Sequence, residues 1–210
     1  ISSLIMFAAV LVLYRGFFAR SKPHWWEVGV VGVLTGASLY ISPYTFTFLG
    51  CVIGVSCVWF FVTRDYVRAI RTMYTGIIAL VLLIPFFINY IELRASDGFA
   101  ELAMRQGLIT DHRPILSIWL IIMLGCAIFL WPKVYAKSRT FFIVMIAVLW
   151  ILTNQHVLTG LILHPSHYHW YITKPLLSVM LGMYAAFLLR YFFKRQYLRI
   201  GIAIAILFVL

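Results

Sequence analysis

The sequence predicts an all-α, polytopic helical membrane protein with about eight transmembrane spans or partial spans. Composition is the first observation: hydrophobic residues make up 64% of 210 and charged residues 11%. A soluble domain carries about a quarter charged residues, and the mean hydropathy here is +1.00. Segmentation is the second. The apolar residues fall into runs near the ~20 that cross a bilayer as a helix. Charge is the third, because thirteen of the seventeen Lys and Arg lie in alternate loops between those runs.

The expected spans are 1–14, 27–41, 43–63, 72–91, 114–131, 140–157, 171–189 and 200–210. No charged residue stands in the middle of any of them, which argues against a proton-coupled pump or a voltage sensor. The second run is short, and Ser42-Pro43-Tyr44 divides it from the third. Proline removes a backbone donor and restrains the residue before it, so a tight turn or broken helix is expected there. One continuous helix over 27–63 would be about 55 Å long, too long for a single crossing. The terminal runs at Ile1 and Leu210 are expected to be cut short. The chain therefore reads as a single transmembrane domain, 1–210, truncated at both ends.

The loops set the expected orientation. One set holds Arg15, Arg20 and Lys22; Arg64, Arg68 and Arg71; Lys133, Lys137 and Arg139; and Arg190, Lys194, Arg195 and Arg199. By the positive-inside rule, loops 15–26, 64–71, 132–139 and 190–199 are cytoplasmic. Their acids are Glu27 and Asp65 alone. The other set, loops 92–113 and 154–174, is external. It balances Arg94, Arg105, Arg113 and Lys174 against Glu92, Asp97, Glu101 and Asp111. Strict alternation holds only if 27–63 is split at Pro43. Trp25, Trp26, Tyr44, Trp131, Tyr168, Trp170 and Tyr171 gather near segment ends, as an interfacial belt does.

Composition also excludes some functions. The formal net charge is +11, but it is divided among short loops and forms no single nucleic-acid-binding face. Cys51, Cys57 and Cys126 lie inside apolar runs with no CxxC spacing, as small packing residues do. There is no glycine-rich phosphate loop, GxSxG or HExxH motif. No cofactor is expected, and a divalent metal has no support.

Three groups carry the chemistry available. The first is Asn154-Gln155-His156, then Thr159-Gly160 and His164-Pro165-Ser166-His167-Tyr168-His169-Trp170. Three polar side chains in a row at a span's end are expensive unless they meet a cavity or water. Imidazole near neutral pH serves as acid, base, metal ligand or phosphate donor. An interfacial anchoring loop and a pocket lining both fit this stretch. His164-x2-His167-x-His169 has ligand-like spacing but no cysteine or carboxylate beside it.

The second group runs from Arg94 to Arg113. Arg105-Gln106-Gly107 and Asp111-His112-Arg113-Pro114 stand where the chain re-enters the membrane, and guanidinium forks suit phosphate. A solvated loop with weak local ion pairs fits equally. Within it, 99–105 has the pattern of a short amphipathic surface helix. The third group is Tyr40, Ser42, Tyr44, Thr45 and Thr47 around the Pro43 break, where packing hydroxyls are expected. Asn89 and Glu92 close a span on the same side.

Three stretches resemble bacterial multi-spanning proteins related to the C-type membrane glycosyltransferases, which use polyprenyl-phosphate sugars. They are Gly32 to Tyr44, Glu101 to Pro114, and Asn154-Gln155-His156-Val157-Leu158-Thr159-Gly160 with His167-Tyr168. The resemblance covers about a sixth of the chain. It implies an outward-facing site at the surface of a bacterial inner membrane that receives a lipid phosphate. In that class the catalytic base is an acid in the first external loop. Such a loop would lie upstream of Ile1, so the base is not assigned here.

The residues that the resemblance and the charge pattern nominate for lipid phosphate or sugar are Arg105, Arg113, His156, His167, Asn154 and Gln155. Arg94, Lys174 and Tyr168 are weaker choices. The expected partners are the lipid bilayer and a polyprenyl-linked sugar. The alternatives are a non-enzymatic transporter or structural component for lipids or polysaccharide, and a surface-polysaccharide polymerase or ligase.

Overall fold

The computed structural model describes residues 2–20, 22–95, 114, 116, 118–130, 136–159, 169–176, 178 and 181–182. Among them, every regular element is helical. The helices are α1 (Ser2–Leu13), α2 (Trp25–Ser38), α3 (Pro43–Val62), α4 (Tyr66–Leu82), α5 (Ile84–Arg94), α6 (Ile118–Leu130) and α7 (Ala136–Thr159), with π-helical turns at Tyr14–Phe18 and His169–Thr173.

Eight spans are not reached among these residues. Two helices are long and apolar enough to cross a membrane: Pro43–Val62, and Ser138–Val157 within α7. They match the expected runs 43–63 and 140–157. The bent pair of α4 and α5 makes a third if it is counted as one span. The expected run 27–41 is a 14-residue helix, about 21 Å long, against a hydrocarbon core of about 30 Å. The run 1–14 continues through the π-turn to Phe18 and remains a shorter apolar helix. The run 114–131 holds the 13-residue α6. The run 171–189 is described only in part, while 200–210 and the amphipathic pattern at 99–105 lie outside the described residues.

The turn at Pro43 is as the sequence requires. Ser42 caps α3 by accepting from the Thr45 N–H at 3.4 Å, and Pro43 occupies the first turn, where no donor is needed. The expected run 72–91, in contrast, is not one helix. It starts earlier, at Tyr66, and bends by 46° between α4 and α5. Pro85 lies in the first turn of α5. It has no N–H to offer the Val81 carbonyl, so the ladder breaks there.

Packing centres on α2, α3 and α4. Gly32 and Gly36 of α2 lie against α4. A Cβ built on Gly32 would stand 2.8 Å from the Ile78 Cβ and 2.9 Å from the Thr75 carbonyl oxygen. On Gly36 it would stand 2.8 Å from the Leu82 Cβ. This is the small-xxx-small approach that lets two helix backbones nearly touch. α3 packs against both α4 and α7, burying Phe48, Leu49, Val52 and Phe60 with Val144, Val148 and Leu149. α5 differs from all of these in burying no residue.

Candidate functional site

One end of the bundle is defined by direct contacts among residues from the basic loops. Tyr14 and Ser138 hydroxyls are hydrogen-bonded at 2.9 Å. Phe18 packs on Phe60 and Phe141, with ring centroids 5.4 and 5.3 Å away. Arg68 donates to the Phe17 carbonyl at 3.3 Å, satisfying a group that the helix end leaves unpaired. The first, second and third basic loops of the sequence therefore meet at one end.

The acids of those loops are consumed locally. Glu27 is fully buried. Its carboxylate accepts from the His24 N–H at 2.7 Å and from Arg20 Nη1 at 3.1 Å. The first contact caps α2 at its third position, in the manner of a capping box. Gly16, in the π-turn, leaves room for it, since a Cβ there would stand 2.8 Å from Glu27 Oε2. Asp65 caps α4 by accepting from the Arg68 N–H at 3.2 Å, and pairs with the Arg68 guanidinium. Burial works to raise the Asp65 carboxyl. The Arg68 hydrogen bonds and charge outweigh it and hold the group below its ordinary value. The chain reaches this cap through Arg64, whose φ of 59° is left-handed, with Asp65 N–H bonded to the Phe60 carbonyl at 2.8 Å. Sequence reading recorded Glu27 and Asp65 only as the acids of basic loops. The spacings His24-x2-Glu27 and Asp65-x2-Arg68 are the signals that mark them as helix caps.

The residues nominated for phosphate chemistry divide differently. Asn154, Gln155 and His156 fall in the last turns of α7. Asn154 and Gln155 are half-buried and His156 is buried, 3% exposed. The Asn154 amide donates to the Trp150 carbonyl at 3.1 Å. Part of the expected expense of this polar run is thus met inside its own helix. From Phe141 to His156 the helix rises about 22 Å. Because Phe141 stands level with Phe60 through Phe18, the same rise counted back along antiparallel α3 reaches Thr45. Thr45 is also buried, at 3% exposed. His156 and the N-terminal turn of α3 therefore lie at the same end, opposite the basic loops.

The remaining nominees are less united. Lys174 follows the π-turn His169–Thr173, which packs against α3. Its ammonium lies 3.1 Å from the centre of the Trp170 ring, a cation–π contact. Arg94 is exposed in the last turn of α5, and Glu92 and Asn89 on the same helix are exposed as well. Asn89 and Glu92 thus join no buried site. Arg105, Arg113, His164, His167 and Tyr168 lie outside the described residues. Among the described residues, no group of three or more His, Cys, Asp or Glu is placed to hold a metal. Comparison with family models, with curated proteins and with solved structures finds no match to this chain.

Proposed function

We propose that the chain forms part of a membrane protein whose working surface is the end of the bundle that carries Asn154, Gln155 and His156. In this reading it receives a polyprenyl-phosphate sugar there and transfers the sugar to an acceptor hydroxyl on the non-cytoplasmic side of a bacterial inner membrane. The observation that carries it is the depth match of two buried polar groups, His156 and Thr45, beside the N-terminal turn of α3. A helix N-terminus favours an anion through its unpaired N–H groups and dipole. A neutral or charged imidazole at the same depth supplies a further donor.

The chemistry is a displacement at the anomeric carbon. The acceptor oxygen forms the new C–O bond and loses its proton to a base. The bond to the lipid phosphate breaks, and polyprenyl phosphate departs with the electron pair. Donors that meet this developing charge lower the barrier. Arg105, Arg113, His156 and His167 are proposed for that task, with Gln155, Asn154, Arg94, Lys174 and Tyr168 as neighbours of the sugar or phosphate.

The test is release of polyprenyl phosphate from a radiolabelled panel of polyprenyl-phosphate sugars by the protein in membranes, with cell-envelope acceptors present. The expected result is release coupled to label in an acceptor. In His156→Gln and Arg105→Ala, turnover should fall by about 100-fold, the usual loss when a charge-stabilising donor is removed. Inserted, folded protein that releases nothing across the panel would end the transferase reading and favour a transport or scaffold role.

A further inference from the structure

A second phosphate-facing feature stands at the opposite end of the bundle, and it depends on membrane embedding alone, not on sugar transfer. The described bases there outnumber the acids, and both acids are engaged, Glu27 by Arg20 and Asp65 by Arg68. Arg71 of α4 has no carboxylate partner among the described residues. Its guanidinium carbon lies 4.9 Å from the centre of the Trp25 ring. Trp25 in turn meets Tyr74 edge-on, with centroids 5.6 Å apart. Arg71 is half-buried, while Trp25 and Tyr74 are 59% and 44% exposed.

Stacking fixes the plane of a guanidinium and leaves its edge N–H groups pointing outward in the fork that fits a phosphate. Arg71 lies about 8 Å along α4 from Tyr66, little more than one turn and a half. On the same helix Ile70, Met73 and Ile77 are exposed apolar residues at the three- and four-residue spacings of one helical stripe. An exposed indole, a phenol and an unpaired guanidinium directly bordering such a stripe have the order of a headgroup boundary: apolar chains below, phosphate at the rings.

We propose that Arg71, stacked on Trp25 beside Tyr74, binds the phosphodiester of an anionic membrane phospholipid. The lipid's acyl chains lie along the Ile70–Met73–Ile77 stripe. Its headgroup carries no cation to compete with the guanidinium, which separates phosphatidylglycerol from phosphatidylcholine.

The full chain in detergent micelles, titrated with each lipid and read by native mass spectrometry, tests this. Wild-type protein should retain phosphatidylglycerol in preference to phosphatidylcholine. Arg71→Gln should weaken phosphatidylglycerol retention by about tenfold, the equivalent of one charge-assisted hydrogen bond. Trp25→Leu, at an exposed site tolerant of change, should weaken it severalfold and keeps the test sound if the Arg71 variant fails to fold. Arg64→Gln, an exposed base outside the stack, should change it by less than about twofold. Equal retention of the two lipids, an unchanged Arg71→Gln or Trp25→Leu titration, or displacement by millimolar inorganic phosphate would each overturn the proposal. The last would mark a site for a free anion.

Discussion

α2 and α5 are both short helices rich in apolar residues, yet the bundle treats them in opposite ways. α2 is buried along one face from Glu27 to Ser38, whereas α5 buries nothing. The difference does not lie in hydrophobicity. α2 carries Gly32 and Gly36 on the face toward α4, and close backbone approach gives it dispersion contacts that an apolar surrounding cannot replace. α5 presents Phe87, Ile88 and Ile91, large residues that are as content among lipid tails as among helices. In an apolar environment, the size of the interface residues decides which helix is held.

The sharpest way to break this comparison is to fill the α2 interface. Gly32→Val drives a branched side chain into Ile78 and the Thr75 carbonyl, and should cost about 3 kcal/mol through overpacking. Ile88→Ala on α5 removes more atoms but should change stability by less than about 0.5 kcal/mol. Thermal unfolding of both variants in the same detergent checks the pair, and equal losses would refute the size argument. A smaller effect is expected at the base of α2. Glu27→Ala leaves the His24 N–H unpaired and Arg20 without its carboxylate, at a cost of about 2 kcal/mol. Arg20 is 38% exposed on its side chain, so solvent makes up part of the loss. Glu27→Gln, which keeps an acceptor for the cap, should recover much of it.

The smallest effect concerns α4, the partner of α2. Because the folded Asp65 carboxyl sits below its ordinary value, its contribution is fully present above the unfolded value, about 3.9. That contribution is lost as pH falls through the lower folded value. Unfolding midpoints measured from neutral pH to about pH 3 should therefore decline more for wild type than for Asp65→Asn. Parallel curves would show that the cap contributes nothing measurable.

Several features were legible in the residues alone. Pro43 after Ser42 marked the start of α3, and the uncharged run 140–157 matched the Ser138–Val157 span within two residues at its start. Alternation of basic loops anticipated that residues 14–20, 60–71 and 138–141 would share an end. The bend at α5 was equally present, in Pro85, but the apolar run on both sides concealed it. The polar run at 154–156 showed where buried chemistry would stand, though not that Asn154 turns back to its own helix.

Sequence by itself determined the helical class and the separation of basic loops from polar ones, because both follow from side-chain transfer energies that act locally. Only the tertiary structure decided that Gly32 and Gly36 face α4, that Glu27 is sealed beneath Gly16, and that Arg71 lies on Trp25. These depend on which surfaces meet across long separations in the chain, and on steric fit at distances near 3 Å, which no local pattern of hydrophobicity encodes.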